Sequence, residues 1–93
     1  MNFGQALEAL KAGQRVARAG WNGKGMWLAL TPGSVIPADK ARAGAAELVA
    51  AERNIQSIVI DPHIDMRTAG GSLQVGWLAS QADMLGEDWA VLP

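Results

Sequence analysis

The chain has 93 residues, eight Lys and Arg against nine Asp and Glu for a formal net charge of −1, and no cysteine. That length predicts one small domain, close to the size at which oligomerisation commonly adds stability and with little room for an internal active-site cavity. The charge balance argues against a long nucleic acid as partner, the missing cysteines exclude disulfides and thiolate metal sites, and no signal peptide or membrane span is recognisable, so the sequence reads as soluble and cytoplasmic.

The opening segment reads as a helix. Asn2 is a candidate N-cap with Gln5 three residues on, Phe3, Ala6, Leu7 and Leu10 follow helical spacing, and Gly13 suits the end. Short strands are predicted at Arg15 to Arg18 and Met26 to Thr31, the second closed by Pro32-Gly33. Residues 38 to 53 are alanine-rich with helix propensity, but Leu48 and Val49 make a poor apolar stripe, so this segment reads as a marginal helix or mobile insertion. "IQSIVID" and "HIDMRTAGGSLQV" carry strand signals, the second as a hairpin turning at Gly70-Gly71. Ser80 is placed to cap a short helix, with Asp83 completing a capping box, and "DWAVLP" returns as a last strand. The predicted fold is α+β: a single domain over residues 1–93, its small antiparallel sheet packed by the N-terminal helix, with a short C-terminal helix before the last strand.

Charge is distributed unevenly. Lys11, Arg15, Arg18 and Lys24 face only Glu8 in the first 25 residues, whereas Asp83, Glu87 and Asp88 crowd the other end. The first segment is therefore suited to a compact anion. Within "ARAGWNGKGMW" glycines let backbone approach a ligand, Arg18 and Lys24 suit phosphate, Asn22 suits a polar edge, and indole can stack on a base. Trp27, between Met26 and Leu28, reads as core, which leaves Trp21 in the turn as the ligand candidate. Trp77 precedes a helix start where Ser80 and the N–H groups of Gln81 to Asp83 can receive an anion; the alternative is an indole wedged under that helix. Trp89, alternating with Val91, reads as core.

The case for catalysis is thin. Asp61, His63 and Asp65 alternate along an extended segment, a pattern that can ligate a metal but is better read as the polar outer face of a strand. No complete nucleophile, zinc-binding or phosphate-loop motif is present.

Taken together, "VARAGWNGKGMW", "HIDMRTAGG" and "GWLASQADMLGEDWAVL" resemble the Thoeris anti-defence protein two family, a phage-borne family once catalogued as a domain of unknown function. The resemblance covers roughly residues 1 to 33 and 60 to 93. It implies a sponge: a homotetramer in the infected bacterial cytoplasm that binds a cyclic nucleotide immune signal, glyco-cyclic ADP-ribose, at subunit interfaces and withholds it from its effector without degrading it. For some members it also implies cyclic di- or trinucleotides of CBASS-type systems at separate sites. Trp21, Trp77 and Asp83 are then the leading ligand residues, followed by Arg18, Asn22, Lys24, Ser80 and Gln81, with no catalytic residue, metal or cofactor. Two rival classes stand beside it. A small nucleotide hydrolase would use Asp61, His63 and Asp65; a protein-interaction module would use the tryptophans as hot spots.

Overall fold

The computed structural model describes residues 1–52 and 54–93; Arg53, which ends the alanine-rich segment, lies outside them. In chain order the elements are α1 (Phe3–Lys11), β1 (Val16–Arg18), β2 (Trp27–Thr31), β3 (Ser34–Pro37), α2 (Gly44–Ala50), β4 (Ser57–Ile60), β5 (His63–Arg67), β6 (Leu73–Gln74), α3 (Gln81–Leu85) and β7 (Trp89–Val91). They form an α+β fold divided into two compact units, residues 1–31 with 63–93 and residues 32–62. No described helix is long and apolar enough to cross a membrane.

In the larger unit, α1 starts at the expected capping box: the Gln5 amide donates to Asn2 Oδ1 at 2.8 Å and the Asn2 amide to Gln5 Oε1 at 2.9 Å. It ends one residue before the expected glycine, with Ala12 as C-cap and Gly13 at a φ of +86° that favours glycine. Its buried stripe is Ala6, Ala9 and Leu10. This stripe lies against a five-stranded antiparallel sheet of order β6-β5-β2-β1-β7. Val16 pairs with Leu28, and Leu28 with Met66, so three apolar side chains form a row across the sheet. With Trp89 and the three helix residues they make the core.

Register corrects the reading of Trp27 as core. Successive strand residues point to opposite faces, so once Leu28 faces α1 its neighbour must face away. Trp27 is half-buried on that other face, opposite Arg67 in β5, with the Arg15 guanidinium 5.4 Å from its ring centroid in a cation–π arrangement. The predicted hairpin is present as β5 and β6, with Met66 opposite Gln74. Trp89 is 2% exposed, as expected for core, whereas Val91 is 37% exposed.

In the smaller unit, β3 pairs with β4, placing Val35 opposite Val59. Strand β3 has no counterpart among the predicted elements, because its four residues follow a Pro-Gly turn and carry only two consecutive apolar side chains. The alanine-rich segment holds a 3-10 turn (Ala38–Lys40) and α2, which has no side-chain cap and no buried residue. Among this unit's described residues Ile58 is the buried apolar one.

Candidate functional site

The candidate site is in the larger unit, where the end of β1 and the turn after it meet the continuous stretch that runs from Trp77 through α3 into β7. Its floor is Trp89, whose indole Nε1 donates to the Asp83 carbonyl at 2.9 Å. Trp21 and Trp77 stand on this floor edge-on, with ring centroids 5.4 and 6.2 Å from that of Trp89 and 6.5 Å from each other. Phe3 completes the aromatic group, 6.3 Å from Trp77 and 5.5 Å from Trp89. Tilted and edge-to-face contacts of this kind suit the ring quadrupoles. Trp21 and Trp77 are each half-buried, packed on the core while keeping part of the ring at the surface.

Asp83 organises the polar side. Its capping box with Ser80 is formed in both directions, the Asp83 amide donating to Ser80 Oγ and the Ser80 amide to Asp83 Oδ2, each at 3.0 Å. Its other oxygen, Oδ1, accepts from Trp21 Nε1 at 3.0 Å and from Arg18 at 2.9 Å. Burial pushes this carboxyl toward neutrality, but the donors from Trp21, Arg18 and the Ser80 backbone prevail and hold its pKa at about 2. Arg18 also donates through Nε to Asp88 Oδ1 at 2.9 Å, while the Gly20 amide donates to Asp88 Oδ2 at 2.7 Å. A Cβ on Gly86 would lie 2.9 Å from Arg18 Nε and 3.0 Å from Asp88 Oδ1, so the absence of a side chain there lets this ion pair close.

The structure thus brings Trp21, Trp77, Asp83, Arg18 and Ser80 together. Asn22 and Lys24 lie exposed in the turn after Trp21, and Gln81 is exposed at the first position of α3. Two of these side chains have partners within the chain. Arg18, singled out for phosphate, has its fork engaged by two carboxylates of its own chain, so the basic start and acidic end of the sequence neutralise each other here. Trp21, the ligand candidate in the glycine-rich turn, is fastened to Asp83 and packed on the core. Sequence reasoning missed Asp88 and Phe3 as supports, although the opposite charge of the chain ends was the available signal for Asp88.

The alternation at Asp61, His63 and Asp65 resolves differently. Asp65 is 3% exposed and is not part of a solvated face. It accepts from Thr31 Oγ1, from the Gly76 amide at 2.9 Å, and pairs with His63 Nδ1 at 2.7 Å. Asp61 is exposed and precedes β5. Among the described residues no group of three or more His, Asp or Glu is arranged to hold a metal ion.

Comparison with known proteins agrees along the length of the chain. The model of the Thoeris anti-defense 2-like domain matches residues 1–92. Thoeris anti-defense 2 of Bacillus phage SP01 is 38% identical over 92 residues, an alignment covering 99% of this chain and 94% of that protein. A match that runs through both ends and the middle of the sequence shows that the chain belongs to the Thoeris anti-defense 2 family.

Proposed function

We propose that this protein is an anti-defence sponge, binding a cyclic nucleotide immune signal and withholding it from its effector without chemical change. Glyco-cyclic ADP-ribose is the ligand proposed first, with cyclic di- or trinucleotides as further ligands. The observation that carries the reading is the Trp21–Trp77 pair, two half-buried indoles 6.5 Å apart beside an ionised, fully hydrogen-bonded Asp83. A base stacked on indole contributes about 1–3 kcal/mol, and rings already held by their neighbours lose little freedom on binding. Asn22, Lys24 and Gln81 supply exposed polar groups for sugar and phosphate. Family membership and the name of the relative from phage SP01 support the anti-defence role.

The same reading makes the site part of a homo-oligomer, a tetramer in the proposal. Two stacked faces supply about 2–6 kcal/mol, whereas nanomolar capture needs about 12 kcal/mol, so a second subunit must cover much of the ligand. Leu78 and Leu85, 90% and 78% exposed on either side of Asp83, are suited to such an interface. The test is to load the protein with glyco-cyclic ADP-ribose, denature it by heat and chromatograph the released ligand. Intact ligand in stoichiometric amount is the expected result. A linear or hydrolysed product, beyond that of a protein-free control, would replace the sponge with a small hydrolase. A panel of cyclic nucleotides that leaves the melting temperature unmoved would favour a protein-interaction module.

A further inference from the structure

We infer that Asp65 is a positioning residue for this site, its buried carboxylate fixing the turn that sets the Trp77 indole beside Trp21. The inference rests on the sponge reading for its functional consequence, and on the larger unit alone for its geometry.

After β6 the chain must leave the sheet edge and reach α3 within a few residues. Gly76 makes the change of direction at a φ of +80°, which favours glycine. Two consecutive amides then fasten the turn to two consecutive residues of β5. The Trp77 amide donates to the Ile64 carbonyl at 2.7 Å, and the Gly76 amide donates to Asp65 Oδ1 at 2.9 Å. The first bond is backbone to backbone and is open to any sequence. The second needs an acceptor side chain at position 65, and an ionised one binds an amide more strongly than a carbonyl does.

Asp65 is built for that task. Thr31 Oγ1 donates to Oδ2 from the neighbouring strand, and His63 Nδ1 lies 2.7 Å from Oδ1 on the same strand. Burial pushes the carboxyl up, but donors from Thr31, Gly76 and His63 hold it below its ordinary range. The carboxylate is therefore ionised and held by residues of two strands, and its Oδ1 also receives the amide of the turn. Trp77 depends on this support because it is only half-buried. Its ring meets Phe3, Trp21 and Trp89 at centroid distances of 6.2 to 6.5 Å, so a shift of the Gly76 backbone moves the indole against three rings at once. A binding residue held by a second layer of hydrogen bonds keeps its geometry before the ligand arrives.

The test uses the full chain with Asp65→Ala and Asp65→Asn. Amide hydrogen exchange at Gly76 is read by NMR without ligand, and affinity for glyco-cyclic ADP-ribose by calorimetry. In Asp65→Ala the Gly76 amide should exchange about tenfold faster or more while the Leu28 amide is unchanged, and affinity should fall about tenfold or more. Asp65→Asn keeps an acceptor and should recover most of both. If Asp65→Ala does not fold, Asp65→Asn decides: a few-fold faster Gly76 exchange with an unchanged core supports the inference, because a neutral amide is the weaker acceptor. Unchanged Gly76 exchange in the folded variants, or a freed turn with full affinity, overturns it. Absence of binding by the unaltered protein would overturn the sponge reading instead, and Gly76 exchange would still decide whether Asp65 holds the turn.

Discussion

In the larger unit Leu28 sits between Val16 and Met66 under α1 with none of its surface exposed, and Trp89 beside it is 2% exposed. In residues 32–62 Val35 and Val59 also pair across two strands, yet they are 64% and 68% exposed, and Leu48 on α2 is 73% exposed. Both regions satisfy their backbone by antiparallel pairing; among its described residues the smaller buries Ile58 alone of its apolar side chains, whereas the larger closes a core of seven. The contrast teaches that strand pairing here supplies shape, while stability comes from apolar side chains closed between helix and sheet. The tryptophans and the buried carboxylates belong to the packed region, where their positions are fixed by neighbours on several elements.

Substitutions at graded burial measure this contrast. The largest effect is expected for Trp89→Ala, which empties the floor of the aromatic group and removes the bond to the Asp83 carbonyl. A loss of about 3–5 kcal/mol by urea unfolding is expected, and a loss under 1 kcal/mol would break the account of the core.

Acid comes next. Asp83 has a pKa of about 2 in the folded protein against an ordinary 3.8, so it contributes stability that is fully present above pH 4 and lost as the pH falls toward 2. The contribution is about 2 kcal/mol at most. Urea midpoints between pH 5 and 2 should therefore fall more steeply for the unaltered protein than for Asp83→Asn, and parallel profiles would remove Asp83 from its organising role.

A smaller difference should separate two indoles of one segment. Trp21→Ala should cost about 1–2 kcal/mol of stability and weaken nucleotide binding, because it strips an edge-on ring and a donor to Asp83. Trp27→Ala should cost less than about 1 kcal/mol, since the ring lies outside the core under a surface guanidinium. Thermal unfolding with both variants ranks them. Leu48→Ala should lie within about 0.5 kcal/mol of the unaltered protein, and a larger effect would mean that α2 is packed more closely than its exposure implies.

The sequence made the local devices readable and left the non-local ones dark. The capping boxes at Asn2 and Ser80 involve partners three residues apart, so pattern alone finds them. The β5–β6 hairpin is marked by its two glycines in the same way. Met26, Trp27 and Leu28, by contrast, are three apolar residues in a row, and periodicity cannot choose which of them faces inward. The choice is made by Val16 and Met66 on the flanking strands. The turn residues around Trp21 mark it as a ligand candidate, but they do not show what orients its indole, which is Asp83, 62 residues away in sequence. From sequence Asp65 reads as one member of a solvated alternation, since nothing within the strand announces the Gly76 amide that covers it.

Strand β7 has a consequence for how the molecule comes into being. It pairs residue by residue with β1 near the opposite end of the sequence, Arg18 meeting Trp89 and Val16 meeting Val91. During synthesis α1 and β1 emerge well before Trp89, the largest side chain of their core. Contacts this distant in sequence slow the search for the native state, and a chain waiting for them presents apolar surface to its surroundings. Folding of the larger unit thus waits for β7, and a chain that lacks Trp89 leaves the α1 stripe without its cover.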